Sequence, residues 1–398
     1  MSQYNLANNH PLIPNANEYL FEKKYVSIHS SDRDCIKYPN SAQFEIELPQ
    51  DYVNVQSIKL IQWSFPTNYN VFSIDNNNLE ISFQFIEDLL YNPAEHGVSN
   101  PLLEAIFAGL YANISTVYTV TISAGSYTPS QMANELTNRF NTCVYKYLSN
   151  YIGSNYTSPL KDTLLSELVY FDFVITFNEV QNNLWFGHKN SGFKIISVPE
   201  TTNRIVITNN RCVGRRGDSY ENWGLTSFLG FGRNNETSLE VLDDADTAFF
   251  YRTTDVYWLE SDASGASCFY IVPPFKVNLA PQAYIYLEID GLNCLDETAP
   301  FSASKFTAET NQTNSIINSA FAKIPMRLGP GGVVFDDDMI PYKWYNPPAE
   351  RIRRLRLKFR YHNQTLVNFN GLDYSFMLEF NTLRPQSERK MSVQKILD

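Results

Sequence analysis

Apolar and polar residues alternate with period two along most of the chain. Phe44, Ile46 and Leu48 alternate with Gln43, Glu45 and Glu47, and Leu79, Ile81, Phe83 and Phe85 with Glu80, Ser82 and Gln84. The same rule orders Tyr118, Val120 and Ile122, then Phe171, Phe173, Ile175 and Phe177, then Ile285, Leu287 and Ile289. Near the C-terminus Leu355, Leu357, Phe359 and Tyr361 obey it, followed by Tyr374, Phe376, Leu378 and Phe380. Successive side chains of a strand point to opposite faces, so this pattern predicts strands buried on one face. Sheets of that kind are antiparallel, not the parallel core of an α/β protein. Between 55 and 65 the apolar parity changes, from Ile58 and Leu60 to Ile61, Trp63 and Phe65. A β-bulge, or burial on both faces, explains such a change. Asn- and Gly-rich text at 75–78, 181–183, 209–210 and 368–371 suits tight turns with positive φ.

Helical spacing is rarer. Asn100-Pro101 opens a helix over 102–111, with Asn100 as N-cap, Pro101 at N1, and Leu102, Leu103, Ile106, Phe107 and Leu110 on one face. Thr128-Pro129-Ser130-Gln131 is a capping box that starts a second helix carrying Met132, Leu136 and Phe140. Short helices are expected at 223–229 and 387–398. Residues 1–24, Asn-rich with Pro11 and Pro14, read as an extended arm, and 291–320 as a long polar surface loop. The expected class is a mainly β sandwich with a few short helices between strands.

Composition narrows the function classes. The 398 residues carry 42 acidic and 31 basic side chains, a net charge of −11, and only 18% are charged, against about 25% in typical soluble domains. With 43% apolar residues the chain is not intrinsically disordered, and its acidity argues against a dedicated nucleic-acid binder. Cys35, Cys143, Cys212, Cys268 and Cys294 form no CxxC pair and read as buried free thiols of a reducing compartment. The first 20 residues lack the features of a secretory signal, and no apolar run approaches the ~20 residues of a membrane span.

Catalytic motifs are missing: no GxSxG, P-loop, HExxH or dinucleotide-binding glycine run occurs. His10, His29, His96, His188 and His362 lie far apart in pattern, so no catalytic, cofactor-binding or metal-binding residue is assigned. Asp243-Asp244-x-Asp246 and Asp336-Asp337-Asp338 fit solvated acidic loops better than a cation site, since neither has calcium-loop spacing. More informative is the run 351–360. From Arg354 onward it presents one apolar face and one row of four cations, Arg354, Arg356, Lys358 and Arg360. That row is either a solvated sheet face with cross-strand partners such as Glu379, a contact with an acidic protein, or a contact with nucleic acid or lipid headgroups. Trp344 and Tyr345 lie in a Pro-rich segment outside clear alternation, as interface anchors do. These six residues are the candidate partner interface.

Several strings in fixed order resemble the minor capsid proteins of large icosahedral DNA viruses. The opening Ser27-Ile28-His29-Ser30-Ser31-Asp32-Arg33-Asp34, then Tyr38-Pro39-Asn40 and Phe44-Glu45-Ile46, then Leu48-Pro49 and the run 52–60, is similar to that family's opening. So is the strand-turn-helix unit at 119–140, with Ala124 where the family commonly has Pro. Phe228-Leu229-Gly230-Phe231 and the ending 353–380, with Asn368-Phe369-Asn370-Gly371, complete the likeness. The resemblance covers 25–384. It implies a jelly-roll capsid component without catalytic residues or cofactor, made in the host cytoplasm and housed in the shell of the virion. Its implied partners are the major capsid protein and other minor capsid proteins; a homo-oligomer and contact with an internal viral membrane stay open.

Eight strands, at 43–48, 54–65, 79–86, 247–253, 283–289, 322–328, 353–361 and 373–381, match the jelly-roll number. The expected organisation is an arm (1–24), a first part of the jelly roll (25–114), an inserted β-α-β module (115–235), a second part (236–384) and a tail (385–398). The alternative is two consecutive jelly rolls. The rival function is a carbohydrate-binding or glycan-processing β-sandwich, in which Trp and Tyr stack on sugars and paired carboxylates cut them.

Overall fold

A computed structural model describes residues 9–10, 13–14, 20–66, 70–86, 100–112, 114, 116–197, 224–232, 234–241, 258–259, 267–280, 283–298, 317–326, 333–334, 341–362 and 364–384. The chain forms two compact units. One comprises Met1–Tyr69, Ala280–Pro300 and Asn311–Asp398; the other comprises Asn70–Leu279 and Phe301–Thr310. The first unit opens with β1 (Phe21–His29) and β2 (Gln43–Pro66). The chain then builds the second unit before it returns.

The second unit contains, in order, β3 (Glu80–Phe85), α1 (Pro101–Ala112), β4 (Tyr118–Thr121), α2 (Pro129–Asn155), α3 (Leu160–Glu167), β5 (Phe173–Asn178), β6 (Asn183–His188) and β7 (Phe193–Ile196). It continues with α4 (Leu225–Phe228), β8 (Glu236–Thr237), β9 (Leu239–Glu240) and β10 (Phe269–Ile271). Two four-stranded antiparallel sheets result, ordered β8-β7-β3-β4 and β9-β10-β6-β5. The capping box forms as expected: Gln131 N–H donates to Thr128 Oγ1, and Thr128 N–H donates to Gln131 Oε1. The helix it starts runs 27 residues, because Val144, Leu148 and Ile152 continue the four-residue spacing begun at Met132. All of these are buried. Phe140 of α2 stacks on Phe83 at 4.7 Å between ring centroids, and Phe83 in turn stacks on Tyr118 at 5.0 Å.

Helix α2 also closes a sheet edge. Strand β5 ends its sheet, and its outward main-chain groups would otherwise lack partners. Phe173 N–H donates to Asn141 Oδ1 at 3.0 Å while Asn141 Nδ2 donates to Phe173 O at 2.9 Å. One turn earlier, Ile175 N–H donates to Thr137 Oγ1 at 3.0 Å. Two side chains at i and i+4 on the helix thus stand in for a neighbouring strand.

Back in the first unit come β11 (Tyr284–Ile289), β12 (Leu295–Thr298), β13 (Ile317–Ala320), β14 (Ala322–Pro325), β15 (Tyr342–Arg360) and β16 (Ser375–Leu383). Among the described residues β11, β14, β15 and β16 join β1 and β2 in a seven-stranded antiparallel sheet of order β14-β11-β15-β2-β16-β1, with Val333–Val334 also pairing β2, while β12 and β13 pair with each other. The parity change within 55–65 is a bulge: Met377 faces Gln62 and Leu378 faces Leu60, so Ile61 is the extra residue. A larger irregularity separates Trp344, opposite Ser57, from Ala349, opposite Val55. Phe65, Phe359, Phe369 and Tyr374 form an aromatic centre of this unit's core, and the Tyr374 hydroxyl donates to Ser41 O at 2.5 Å.

The expected mainly β class with antiparallel sheets is borne out. Several details differ. The units part at 69/70 and 279/280, not at 114/115 and 235/236, because β3 pairs with β4 and β7, and β10 pairs with β6. The expected loop 291–320 carries β12 and β13 at its ends, paired with each other. Helix α3 was not foreseen. Residues 21–24 of the expected arm belong to β1, and the short helix near 223–229 is present as α4. The strand at 247–253 and the helix at 387–398 lie outside the described residues. Gly230 makes a sharp prediction. Its φ is +91°, and a Cβ there would stand 2.2 Å from Phe275 O. Gly230→Ala should destabilise the second unit by about 2–4 kcal/mol, from backbone strain plus the clash, as read by urea unfolding followed by Trp fluorescence.

Candidate functional site

The six candidate interface residues all belong to β15. Register brings the cations of its outer face against acids of the neighbouring strands. Arg354 lies opposite Glu47 and Arg356 opposite Glu45 on β2, while Lys358 lies opposite Glu288 on β11. Arg354 Nη2 is 2.8 Å from Glu47, Arg356 Nε is 2.8 Å from Glu45, and Lys358 Nζ is 3.2 Å from Glu288. Arg351 Nε is 2.9 Å from Asp51. The hydrogen bond from Arg356 holds the Glu45 carboxyl below its ordinary range and, reciprocally, raises Arg356. The cross-strand partners are therefore Glu45, Glu47 and Glu288. Glu379, the partner expected from sequence, lies 3.7 Å from Lys23 instead. The basic run is matched by carboxylates of its own sheet, so it does not present unopposed positive charge. Arg354 and Arg356 keep exposed side chains, Arg356 at 70%.

Arg360 departs from the solvated row. It is fully buried. Its Nη2 lies 2.8 Å from Glu297 on β12, its Nε bonds Glu288, and its guanidinium sits 4.9 Å from the Tyr286 ring centre. His362 Nδ1 also contacts Glu297. Burial by itself lowers the Arg360 pKa, but the hydrogen bonds to Glu297 and Glu288 outweigh it and the net shift is upward. Burial, reinforced by Glu297, likewise pushes up the Tyr286 hydroxyl. The β12–β13 ladder brings this about, because it carries Glu297 and the Ser319 carbonyl to Arg360. Two carboxylates, a guanidinium and a ring satisfy one another here, which is a structural arrangement, not a vacant site.

Trp344 and Tyr345 point opposite ways, as strand neighbours must. Trp344 is 55% exposed; Tyr345 packs on the core, with its hydroxyl donating to Gly291 O at 3.4 Å. Burial raises the Tyr345 pKa to about 12. Register places further residues on the outer face with Trp344. Tyr342, Lys59, Glu379 and Tyr25 form one row across β15, β2, β16 and β1, and Trp344, Ser57, Asn381 and Lys23 the next. Tyr25 and Tyr342 are each 56% exposed. Sequence reading missed both, because each looks like an ordinary strand aromatic.

Other chemistry is sparse. An open cleft of about 450 Å³ in the second unit is lined by Tyr127, Gln131, Asn134, Glu135 and Asn138. Burial tends to raise the one carboxylate there, Glu135, but the hydrogen bond from Arg139 outweighs it and lowers the net pKa. A pair of carboxylates for glycoside cleavage does not line this cleft. Among the described residues no group of three His, Cys, Asp or Glu could hold a metal, and no helix is long and apolar enough to cross a membrane. Both Asp clusters and Cys212 lie outside the described residues. Cys35 and Cys294 are exposed, not buried as expected. His188 is a core residue at the end of β6: Asn190 N–H donates to its Nδ1, so its Nε2 carries the proton toward Tyr170, 2.7 Å away.

No protein-family model matches the chain. Over 104 residues it is 32% identical to the penton capsid protein P1 of Paramecium bursaria Chlorella virus 1, covering 25% of this chain and 54% of that protein. The chain thus spans about half the length of this relative. The mavirus penton protein, known from a crystal structure, aligns at a TM-score of 0.35 and 9% identity over 91% of this chain and 99% of that one. A likeness at that level carries no argument about fold or function. The resemblance to capsid proteins of large DNA viruses is borne out by the match to P1.

Two predictions follow from the buried groups. Arg360→Met should cost about 3–5 kcal/mol in urea unfolding, because Glu297 stays buried without its guanidinium partner while Glu288 keeps only Lys358; Arg356→Ala, at the exposed end, should leave the midpoint nearly unchanged. Burial, with a small push from Lys189, lowers the His188 pKa to about 3 in the folded state, while the unfolded chain binds that proton near pH 6.5. Its contribution is complete above pH 6.5 and drains away as pH falls toward 3, with a slope of up to about 1.4 kcal/mol per pH unit. Comparing the pH dependence of unfolding of the native chain with that of His188→Phe should reveal this slope as the difference.

Proposed function

We propose that this chain is a structural protein of a viral capsid, which holds neighbouring capsid proteins by surface contact and performs no catalysis. The observation that carries this reading is the 104-residue match to a penton capsid protein. It is supported by where the charged chemistry goes: the basic strand is consumed by its own sheet and the buried ions satisfy one another. What the first unit offers to others is an outer face with Trp344, Tyr342 and Tyr25 among polar side chains, the composition of protein contact surfaces. On this reading Trp344 is the anchor, Arg354 and Arg356 form a polar rim, and Tyr345 and Arg360 support the strand from within. The partners are the major capsid protein and other minor capsid proteins, and the location is the shell of the virion.

Mass spectrometry of gradient-purified virions of the virus that encodes this chain should find it at a stoichiometry typical of shell proteins. Virions that lack it refute the proposal. Trp344→Ala should fold normally by circular dichroism yet enter particles several-fold less; undiminished incorporation would remove Trp344 from the contact.

A further inference from the structure

Strand β1 is an edge of its sheet, and half of its main-chain groups point outward, unclaimed among the described residues. Arg384 N–H donates to Leu20 O at 3.0 Å, and Ser30 N–H donates to Tyr374 O at 2.9 Å. These even positions flank a continuous register from Phe21 opposite Leu383 to His29 opposite Ser375. Hydrogen-bonded positions recur every second residue in an antiparallel pair, so the even residues of β1 bond to β16. The N–H and C=O of Phe21, Lys23, Tyr25, Ser27 and His29 therefore face away from the sheet. No hydrogen bond to those outward groups is present among the described residues. The contrast with β5 is direct, since α2 covers that edge with Thr137 and Asn141. Lysines often guard open edges. Here Lys23 reaches back to Glu379 and Lys24 turns along its own strand to Glu22, each at 3.7 Å.

We propose that β1 pairs antiparallel with β1 of a second copy, about a twofold axis at Tyr25, joining two sheets into one. Tyr25 is the middle residue of the nine-residue strand, so this register uses its whole length. The charges also permit this register. Lys23 faces Ser27 of the second copy, Lys24 faces Val26, and Glu22 faces Ile28. Centring the axis on Lys23 or Lys24 sets like charges directly against each other. Facing pairs of odd residues exchange two main-chain hydrogen bonds each, and the two Tyr25 rings meet on the outer face. This inference does not depend on the capsid reading.

Sedimentation velocity across a concentration series tests it in the full chain. The native chain should form a dimer. Tyr25→Pro should weaken it at least tenfold while keeping the native circular dichroism, because proline is tolerated where an edge N–H points outward. Facing α-carbons of a hydrogen-bonded pair lie about 5.5 Å apart, within disulfide reach. In a Cys35→Ser, Cys294→Ser background, Tyr25→Cys should therefore cross-link to twice the chain mass on oxidation, whereas Lys23→Cys should not. Amide exchange of Lys23, Tyr25 and Ser27 should slow as concentration rises. A native chain that stays monomeric with those amides unprotected overturns the proposal, as does a folded Tyr25→Pro chain that dimerises normally. Should Tyr25→Pro fail to fold, the cross-linking and exchange results decide alone, and Lys23→Cys cross-linking in preference to Tyr25→Cys refutes the register.

Discussion

The pairing of β2 with β15 is the constraint on which the first unit depends. Both strands are long, 24 and 19 residues, and both carry a strict alternation over the segment where they meet. A slip of one residue would turn Phe44, Leu355 and Leu357 out of the core and bring Glu45 and Arg356 in. The same register that buries the apolar face aligns Arg354 with Glu47 and Arg356 with Glu45 on the other. Such exposed pairs contribute little stability each. Their effect is on choice of register, since a shifted alignment would set cations against unmatched neighbours. The bulge at Ile61 then lets β2 change which parity faces inward, so one strand can follow a curled sheet without exposing Trp63 or Phe65.

Arg360 shows how the alternation is overridden. By position it belongs to the solvated row, yet the β12–β13 ladder carries Glu297 to it and the residue is buried with its charge matched. A buried ion pair of this kind is poor evidence of net stability but strongly specifies geometry, because an unpaired member is costly. The second unit meets a comparable demand differently. Its edge strand β5 is satisfied by Thr137 and Asn141 of a helix, a solution that needs both side chains at one helical spacing and on the right face.

For function, the chain's charged and titratable groups divide sharply. Those that looked most suggestive in sequence, the basic row and the histidines His188 and His362, are largely occupied within the protein. The surface features left over are aromatic and main-chain: Trp344, Tyr342, Tyr25 and the outward groups of β1. Such groups make contacts without the desolvation penalty of ions, which agrees with the low charge of the whole sequence and with a structural role beside other proteins.

The strands, the parity change, the capping box at Thr128 and the existence of a basic face were legible in the sequence, because each rests on local periodicity or on side chains a few residues apart. The candidate site was legible only in part. Trp344 is exposed, whereas Tyr345, expected beside it at the surface, turns inward, and Tyr25 and Tyr342 gave no signal distinct from core aromatics. Glu45, Glu288 and Glu297 could not be named as the partners of β15, since they lie 63 to 311 residues away from the cations they meet. The limits of the two units were equally hidden, because β3 could pair with either set of strands on pattern alone. Local alternation decides which face of a strand is apolar, and the sequence by itself determined that. Which strands become neighbours is set by long-range packing and by the satisfaction of buried polar groups, and only the tertiary structure decided it.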